Sequence, residues 1–489
     1  MKLGTRPRIS VIFSNSSFFS PSFSAVSNVI SIIVFKKKAN LQSLNLFCQN
    51  IQCNYLTNFP QIKNHCLFYI LFIFYLALFC WLITRIRFFK NTGLTNQLLI
   101  ALFIVRILFM LASCYVNLYV LPVSDVVDFQ RLGDEQFHLI FTNPHEYLTN
   151  IFHSPYVHGY TRVFDDYHSF WNNFRTILIV KMVSIFDFFS FKNFWINSLF
   201  FNFLVFFGCA ALYKVFIRVF PQSAIPLIIC IFLLPSALFF SSMIHRDGLI
   251  FLAIAMVVYH LYFFRKKDNV LKKIAIISLF LFLIVCLRNF VFLLLIPALV
   301  AWRLAEKFPK KTLLIFITIY CLGLLFFFLS GFISAKIDFP AYVAKRQESF
   351  IEIGKQGTST IKVDALQPSF GGFIKNAPQA FNLAFLRPYL SKTSQLLFAP
   401  FALEIFSMQI LLVLLLIFHK KIIEIQPIIY FSLFFSISVI MIGGYVVPII
   451  GAIVRYRSIY FIFMMIPVMC YIDWQALLKV FKRENQAPP

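Results

Sequence analysis

From Cys66 almost to its end, the chain alternates apolar blocks with short polar turns. A helix rises about 1.5 Å per residue, so many of these blocks match the roughly 30 Å hydrocarbon core of a bilayer. Counted by length and flanking charge, the expected helices are 66 to 84, 97 to 121, 194 to 216, 224 to 241, 248 to 264, 274 to 288, 290 to 304, 312 to 334, 400 to 418, 427 to 446 and 458 to 474. The expected fold is all-α, a polytopic transmembrane bundle of about eleven helices with a long acidic outer loop containing interfacial helices. One turn stands out. In LPSALFFSSMIHRDGL, Leu234 to Leu249, three ionisable residues (His245, Arg246 and Asp247) interrupt two apolar blocks. Charge at a membrane edge is costly unless it pairs or faces a wet cavity, which makes this turn a candidate site.

Flanking charge orients the blocks. If the segment before the first helix is outside, the alternate connections at 85–95, 214–222, 265–273, 303–311, 419–421 and 479–489 hold 19 Lys and Arg. The short opposite turns hold four, namely Arg246, Arg288, Arg455 and Arg457. Cytoplasmic loops carry the basic excess, so the turn at 245–247 is expected to face outward. Both long connections then fall on that outer side. Residues 122–193 hold seven of the 19 acidic residues (Asp125, Asp128, Asp134, Glu135, Glu146, Asp165 and Asp166) and then Asp187. Trp171 to Phe189 mixes apolar residues with Arg175 and Lys181, the pattern of an interfacial helix. Residues 335–399 are rich in Lys and Arg, including Lys336, Arg346, Arg387 and Lys392, with Gly371, Gly372, Pro378 and Pro388 between them. That composition suits a mobile basic lid over an anionic ligand.

Composition narrows the class. With 60% hydrophobic and 13% charged residues, the chain does not divide into water-soluble domains. A net charge of +25 raises the question of nucleic acid, but the Lys and Arg lie in short clusters between apolar blocks, so no nucleic-acid partner is expected. The 66 Phe scatter through the apolar blocks and read as lipid-facing filler. The ten Cys form no C-x-x-C pair, and His138, His145, His153, His158 and His168 lack helical metal-ligand spacing, so no metal ligands are assigned. Residues 1–62 are Ser- and Asn-rich, and their apolar stretch Val29 to Phe35 is too short to span and precedes its lysines. They are expected to be a poorly ordered extension of an integral membrane domain covering 63–489.

Taken together, LPVSDVVDF and LGDEQFHLIF at a helix end, an interfacial helix, two spans, PSALFFSSMIHRDG and a late VRYRSIYFIFMMIP resemble the GT-C superfamily of membrane glycosyltransferases. The resemblance covers roughly Leu98 to Phe264 and Arg455 to Pro467, with one additional helix in front. A Pro-Ser followed by a basic-acidic turn also resembles membrane polymerases of O-antigen and exopolysaccharide. The resemblance implies a bacterial inner-membrane enzyme that moves a sugar from a polyprenyl-phosphate donor to a glycan or lipid acceptor among membrane lipids.

It also implies site residues. A carboxylate accepts the acceptor's hydroxyl proton as its oxygen attacks the anomeric carbon. By resemblance this is Asp125 or Asp128, and Asp134 with Glu135 in GDEQFH is the alternative pair. Asp247 is expected to orient Arg246 or to help hold a divalent cation with the loop acids; cofactor use is otherwise unknown. Arg246, Arg288, Arg387, Arg455 and Arg457, with His245, are expected to bind the phosphate, because cations positioned around it lower the barrier to its departure. Arg106, deep in the second block, is expected to be structural. A lipid-linked glycan transporter remains the alternative from another class; it predicts internal repeats and broken helices with polar groups near the midplane.

Overall fold

The computed structural model describes residues 65–120, 124–156, 158–161, 163, 168–264, 269–334, 337–355, 359–390, 396–420 and 425–484. The expected extension at 1–62, together with Asp165, Asp166, Lys336 and Lys392, lies outside them.

The described chain is helical, with two isolated bridges, Thr360 to Ile449 and His419 to Ile472. Helices α1 (His65–Arg85), α2 (Arg87–Lys90) and α3 (Asn96–Tyr115, continued by a wider turn over Val116–Val120) lead to the acidic segment. There α4 (Asp125–Thr142), α5 (Pro144–Thr149) and α6 (Phe170–Ser190) follow. Next come α7 (Phe194–Val219), α8 (Ala224–Ile228, continued over Ile229–Leu233), α9 (Pro235–Ser241), α10 (Arg246–Tyr262), α11 (Val270–Leu287) and α12 (Asn289–Ala305). The remainder is α13 (Thr312–Ile333), α14 (Phe339–Gly354), α15 (Phe370–Phe381), α16 (Ala399–Ile417), α17 (Pro427–Val446), α18 (Ile450–Tyr471) and α19 (Trp474–Glu484).

Among the described residues, eight helices are long and apolar enough to cross a membrane, or nine when the bent pair α8–α9 counts as one span. The expectation of about eleven adds α10 and α12. Each is 17 residues long, and α10 begins with Arg246 and Asp247. The bend of 41° between α8 and α9 falls where Pro235 occupies the first turn of α9. Proline removes a backbone donor there, and its ring disfavours helical geometry at Leu234, which is extended instead.

Burial sorts the helices into layers. In α18, 89% of the spanning window is buried, and in α7 78%, against 11% in α1 and in α13. The first two form the centre and the last two the rim. Helix α7 packs along α10, α4 along α6, α18 along α17, and α9 against α18. The Phe residues divide along the same lines, which revises their reading as lipid filler. Phe103, Phe201, Phe206 and Phe216 are wholly buried, and Phe79 stacks on Phe203 at 4.4 Å, whereas Phe74, Phe326 and Phe332 stay exposed. The basic segment after α13 is a folded layer in its described part. Phe373, Ala380, Leu383 and Ala384 are buried, and α15 packs against α17.

Candidate active site at one end of the bundle

Between Ser241 and Arg246 the chain leaves helical geometry, and His245 is extended at the amino end of α10. Its Nδ1 lies 2.9 Å from the carboxylate and 3.3 Å from the backbone N of Asp247, so the His-Arg-Asp turn holds its own side chains against the start of the helix. Gly248 permits the tight seat. A Cβ there would lie 2.7 Å from the Phe201 ring and 2.9 Å from Ser241 O.

Around this turn four separate elements converge. Asp247 is fully buried, with Oδ2 2.9 Å from His245 Nδ1, Oδ1 2.6 Å from Arg288 Nη2 and Oδ2 3.3 Å from Arg455 Nε. Asp125 at the start of α4 comes from across the bundle, 3.4 Å from Arg455 Nη2 and 3.5 Å from His245 Nε2. Arg455 Nη2 also meets His245 Nε2 at 2.9 Å. Arg246 donates to Thr176 Oγ1 at 3.1 Å and lies over the Phe129 ring. Arg288, the residue between α11 and α12, stacks over Tyr456 at 4.5 Å, and its buried Nη1 carries no hydrogen bond among the described residues. Asp125, Arg455 and Tyr456 line a cavity of about 70 Å³ with Phe239, Phe240 and Phe401. That volume holds a few waters, so a larger ligand enters only by opening it.

Charge at the site is lopsided. Burial pushes the Asp125 carboxyl up, but His245 and the Arg455 and Arg246 guanidiniums outweigh it and hold the pKa at about 2. Arg175 on α6 joins the cluster. Burial, then Arg246 and Arg346, pull its pKa down to about 9. Four buried or nearly buried guanidiniums (Arg175, Arg246, Arg288 and Arg455) therefore face two carboxylates, an excess suited to an anionic ligand.

Other candidates sit elsewhere. Asp128 is one turn beyond Asp125 on the same face of α4 and is exposed beside Arg131. Asp134 faces α6 and α7. It accepts from Gln130 at 2.6 Å, and Gln130 also reaches Asp187 at 3.3 Å, which is held by Asn197 at 2.6 Å. Glu135 is exposed and paired with Arg131 at 2.9 Å. Arg457 donates to the backbone carbonyls of Ala384 and Arg387, and Arg387 binds Asn382 Oδ1 at 3.0 Å and lies over Tyr389. Helical spacing explains the split. Residues two apart, such as Arg455 and Arg457, point about 200° from each other, and so do Asp125 and Asp134, nine apart, to within a few tens of degrees. Arg106 is buried and donates to Ser241 O at 2.7 Å, holding the end of α9.

Sequence reasoning passed over Arg175 and Glu404. Glu404 on α16 accepts from the backbone N–H and hydroxyl of Ser236 at 2.7 and 2.6 Å, where Pro235 breaks the span. A carboxylate inside an apolar block was the available signal. Among the described residues no group of three or more His, Cys, Asp or Glu is arranged to hold a metal ion. No protein-family model matches the chain, and neither any curated protein nor any solved structure is significantly similar to it.

Proposed function

We propose that this multi-pass membrane protein is a glycosyltransferase that moves a sugar from a polyprenyl-phosphate donor to a glycan or lipid acceptor at the outer face of the membrane. The observation that carries the reading is the convergence of Asp125, His245, Asp247, Arg288 and Arg455 from different helices into one buried cluster with an excess of guanidinium. A membrane protein bears the cost of burying such charges where they do chemistry or bind an ion.

Residue roles follow from the contacts. The donor phosphate takes the place of Asp125 at Arg455 and uses the spare Nη1 donor of Arg288, and both guanidiniums stabilise charge gathering on the leaving oxygen. Asp247 holds Arg288, Arg455 and His245 in position through its contacts at 2.6 to 3.3 Å. Once Arg455 turns to the phosphate, Asp125 loses part of the field that holds its pKa at about 2 and becomes a better proton acceptor for the attacking hydroxyl. Asp128, exposed beside Arg131, is the second candidate base. Phe239, Phe240 and Phe401 supply the apolar wall that a polyprenyl chain requires.

The test is sugar transfer in membranes from purified lipid-linked donors, comparing Asp125→Asn, Asp128→Asn, Asp134→Asn and Glu135→Gln. The expected result is a loss of roughly 10² to 10⁴ in one of the first two. Full activity in all four would place the base elsewhere. One observation favours a transporter as second reading: Glu404 of α16 binds Ser236 at the break of the α8–α9 span. Passage of a lipid-linked glycan across the bilayer without sugar transfer from any donor would support that reading instead.

A further inference from the structure

A second cavity, of about 620 Å³, lies at the other end of the bundle. It is lined by Asn91, Thr92 and Gly93 before α3, by Lys214, Ile217, Arg218 and Pro221 around the end of α7, and by Tyr259 and Phe263 at the end of α10. Helix α10 runs from Asp247 at the first site to Tyr259 at this one, and at about 1.5 Å per residue it separates the two by most of a bilayer leaflet or more.

Lys214 is the unusual group. It is 8% exposed, and its ammonium donates to Phe88 O at 3.2 Å and to Tyr259 Oη at 3.3 Å, between the rings of Phe88 and Tyr259 at 4.0 and 4.9 Å. Those partners are neutral. Among the described residues no carboxylate lies within ion-pairing distance of Lys214 or Arg218, and the nearby Glu306 is engaged by Arg303. The helix ends supply part of the missing negative charge through their carbonyls. A lysine that only tied α2 to α10 would need neither a cavity beside it nor a second, exposed cation at the rim. Arg218 is that cation, and Arg87, Lys90 and Lys273 are carried on the adjoining segments.

We propose that this cavity binds a phosphate group, with Lys214 at its base and Arg218 at its rim, and that the phosphate is the headgroup of an anionic phospholipid. A phosphate gives the buried ammonium a counter-charge that no described carboxylate supplies, and basic pockets between membrane helices take anionic headgroups for this reason. The volume lies within the range of ligand pockets. Because the pocket stands apart from the Asp125 cluster, the inference does not rest on the proposed sugar transfer.

The experiment is native mass spectrometry of the full chain in mild detergent with added phosphatidylglycerol, phosphatidylcholine or inorganic phosphate. The wild type should retain phosphatidylglycerol in preference to phosphatidylcholine, and Arg218→Gln should weaken that retention about fivefold, the effect of one cation near an anionic headgroup. Lys214→Met should weaken it further. That variant also alters a buried contact, so the exposed Arg218→Gln decides. Phosphatidylglycerol displaced by millimolar inorganic phosphate would keep the phosphate site and assign it a soluble ligand. Equal retention of the two lipids, full retention by Arg218→Gln, or an equal loss on substituting Arg288 at the opposite end would overturn the proposal.

Discussion

Asp247 is the residue on which the charged cluster depends, because among the described residues it is the carboxylate that touches His245, Arg288 and Arg455 together, and no part of it reaches solvent. Removing its charge leaves Arg288, 8% exposed, without its counter-ion. Breaking a buried pair on one side costs about 3 to 5 kcal/mol, so Asp247→Asn should lower the midpoint of thermal unfolding in detergent markedly. Asp125→Asn should lower it less, since Asp125 and Arg455 are 14% and 19% exposed and water replaces part of what is lost. An unfolding series that ranked the two the other way would remove Asp247 from the centre of the cluster. Arg455→Ala should weaken donor binding and transfer together, because a cation against phosphate acts in the ground state and the transition state alike. Titration of donor binding beside initial rates separates these from a purely structural loss. Legibility at this scale was uneven. His245, Arg246 and Asp247 were visible as charge inside apolar sequence, whereas Arg175 looked like an ordinary residue of an interfacial helix until α6 was packed against the turn.

Helices α4 and α6 meet through the carboxyl pair Asp134 and Asp187, and this pair makes their contact sensitive to pH. Burial, then the neighbouring Asp187, raises the Asp134 pKa to about 7, and burial raises that of Asp187. An unfolded Asp titrates near 3.9. Between about pH 4 and pH 7 the folded pair therefore holds protons that the unfolded chain has released, so stability falls as pH rises through that window. Hydrogen exchange of α4 and α6 peptides should quicken from pH 5 to pH 7.5 beyond its intrinsic pH dependence, and Asp134→Asn, which keeps a hydrogen-bonding group without the titration, should flatten the trend. The start of α10 offers a steric test. A methyl group at Gly248 would push against Phe201 and the Ser241 carbonyl. Gly248→Ala should displace Asp247 from Arg288 and cost about 1 to 3 kcal/mol, read as a lower unfolding midpoint. The sequence reads as one helix over 224–241, which the structure breaks at Pro235, and nothing in that block announced that Glu404, from a helix far along the chain, would hold the broken end.

Across the whole molecule, the first cluster and the Lys214 cavity lie at opposite ends of the same helices, as alternating connections require. If the basic connections face the cytoplasm, cysteines introduced near Lys272 and Lys310 in a cysteine-depleted background should be labelled from that side, and one at Thr149 from the other. Labelling of position 272 from the outer side would reverse the proposed orientation and carry the Asp125 cluster to the cytoplasm.

Length and hydropathy determined the class by themselves. A chain that buries its backbone polar groups in lipid has helices as its solution here, and apolar blocks separated by charged turns mark where those helices begin and end. The charged turn at 245–247 could also be read from the chain, because burial of ionisable groups in apolar sequence is costly wherever it occurs. Only the tertiary structure decided which of the other charges join it. Asp125, Arg288 and Arg455 come from points up to 330 residues apart, and helix rotation turns Arg455 into the cluster while turning Arg457, two positions later, onto the backbone of Ala384. Periodicity states which side chains share a face of one helix; which face meets which neighbour is settled by packing among all of them.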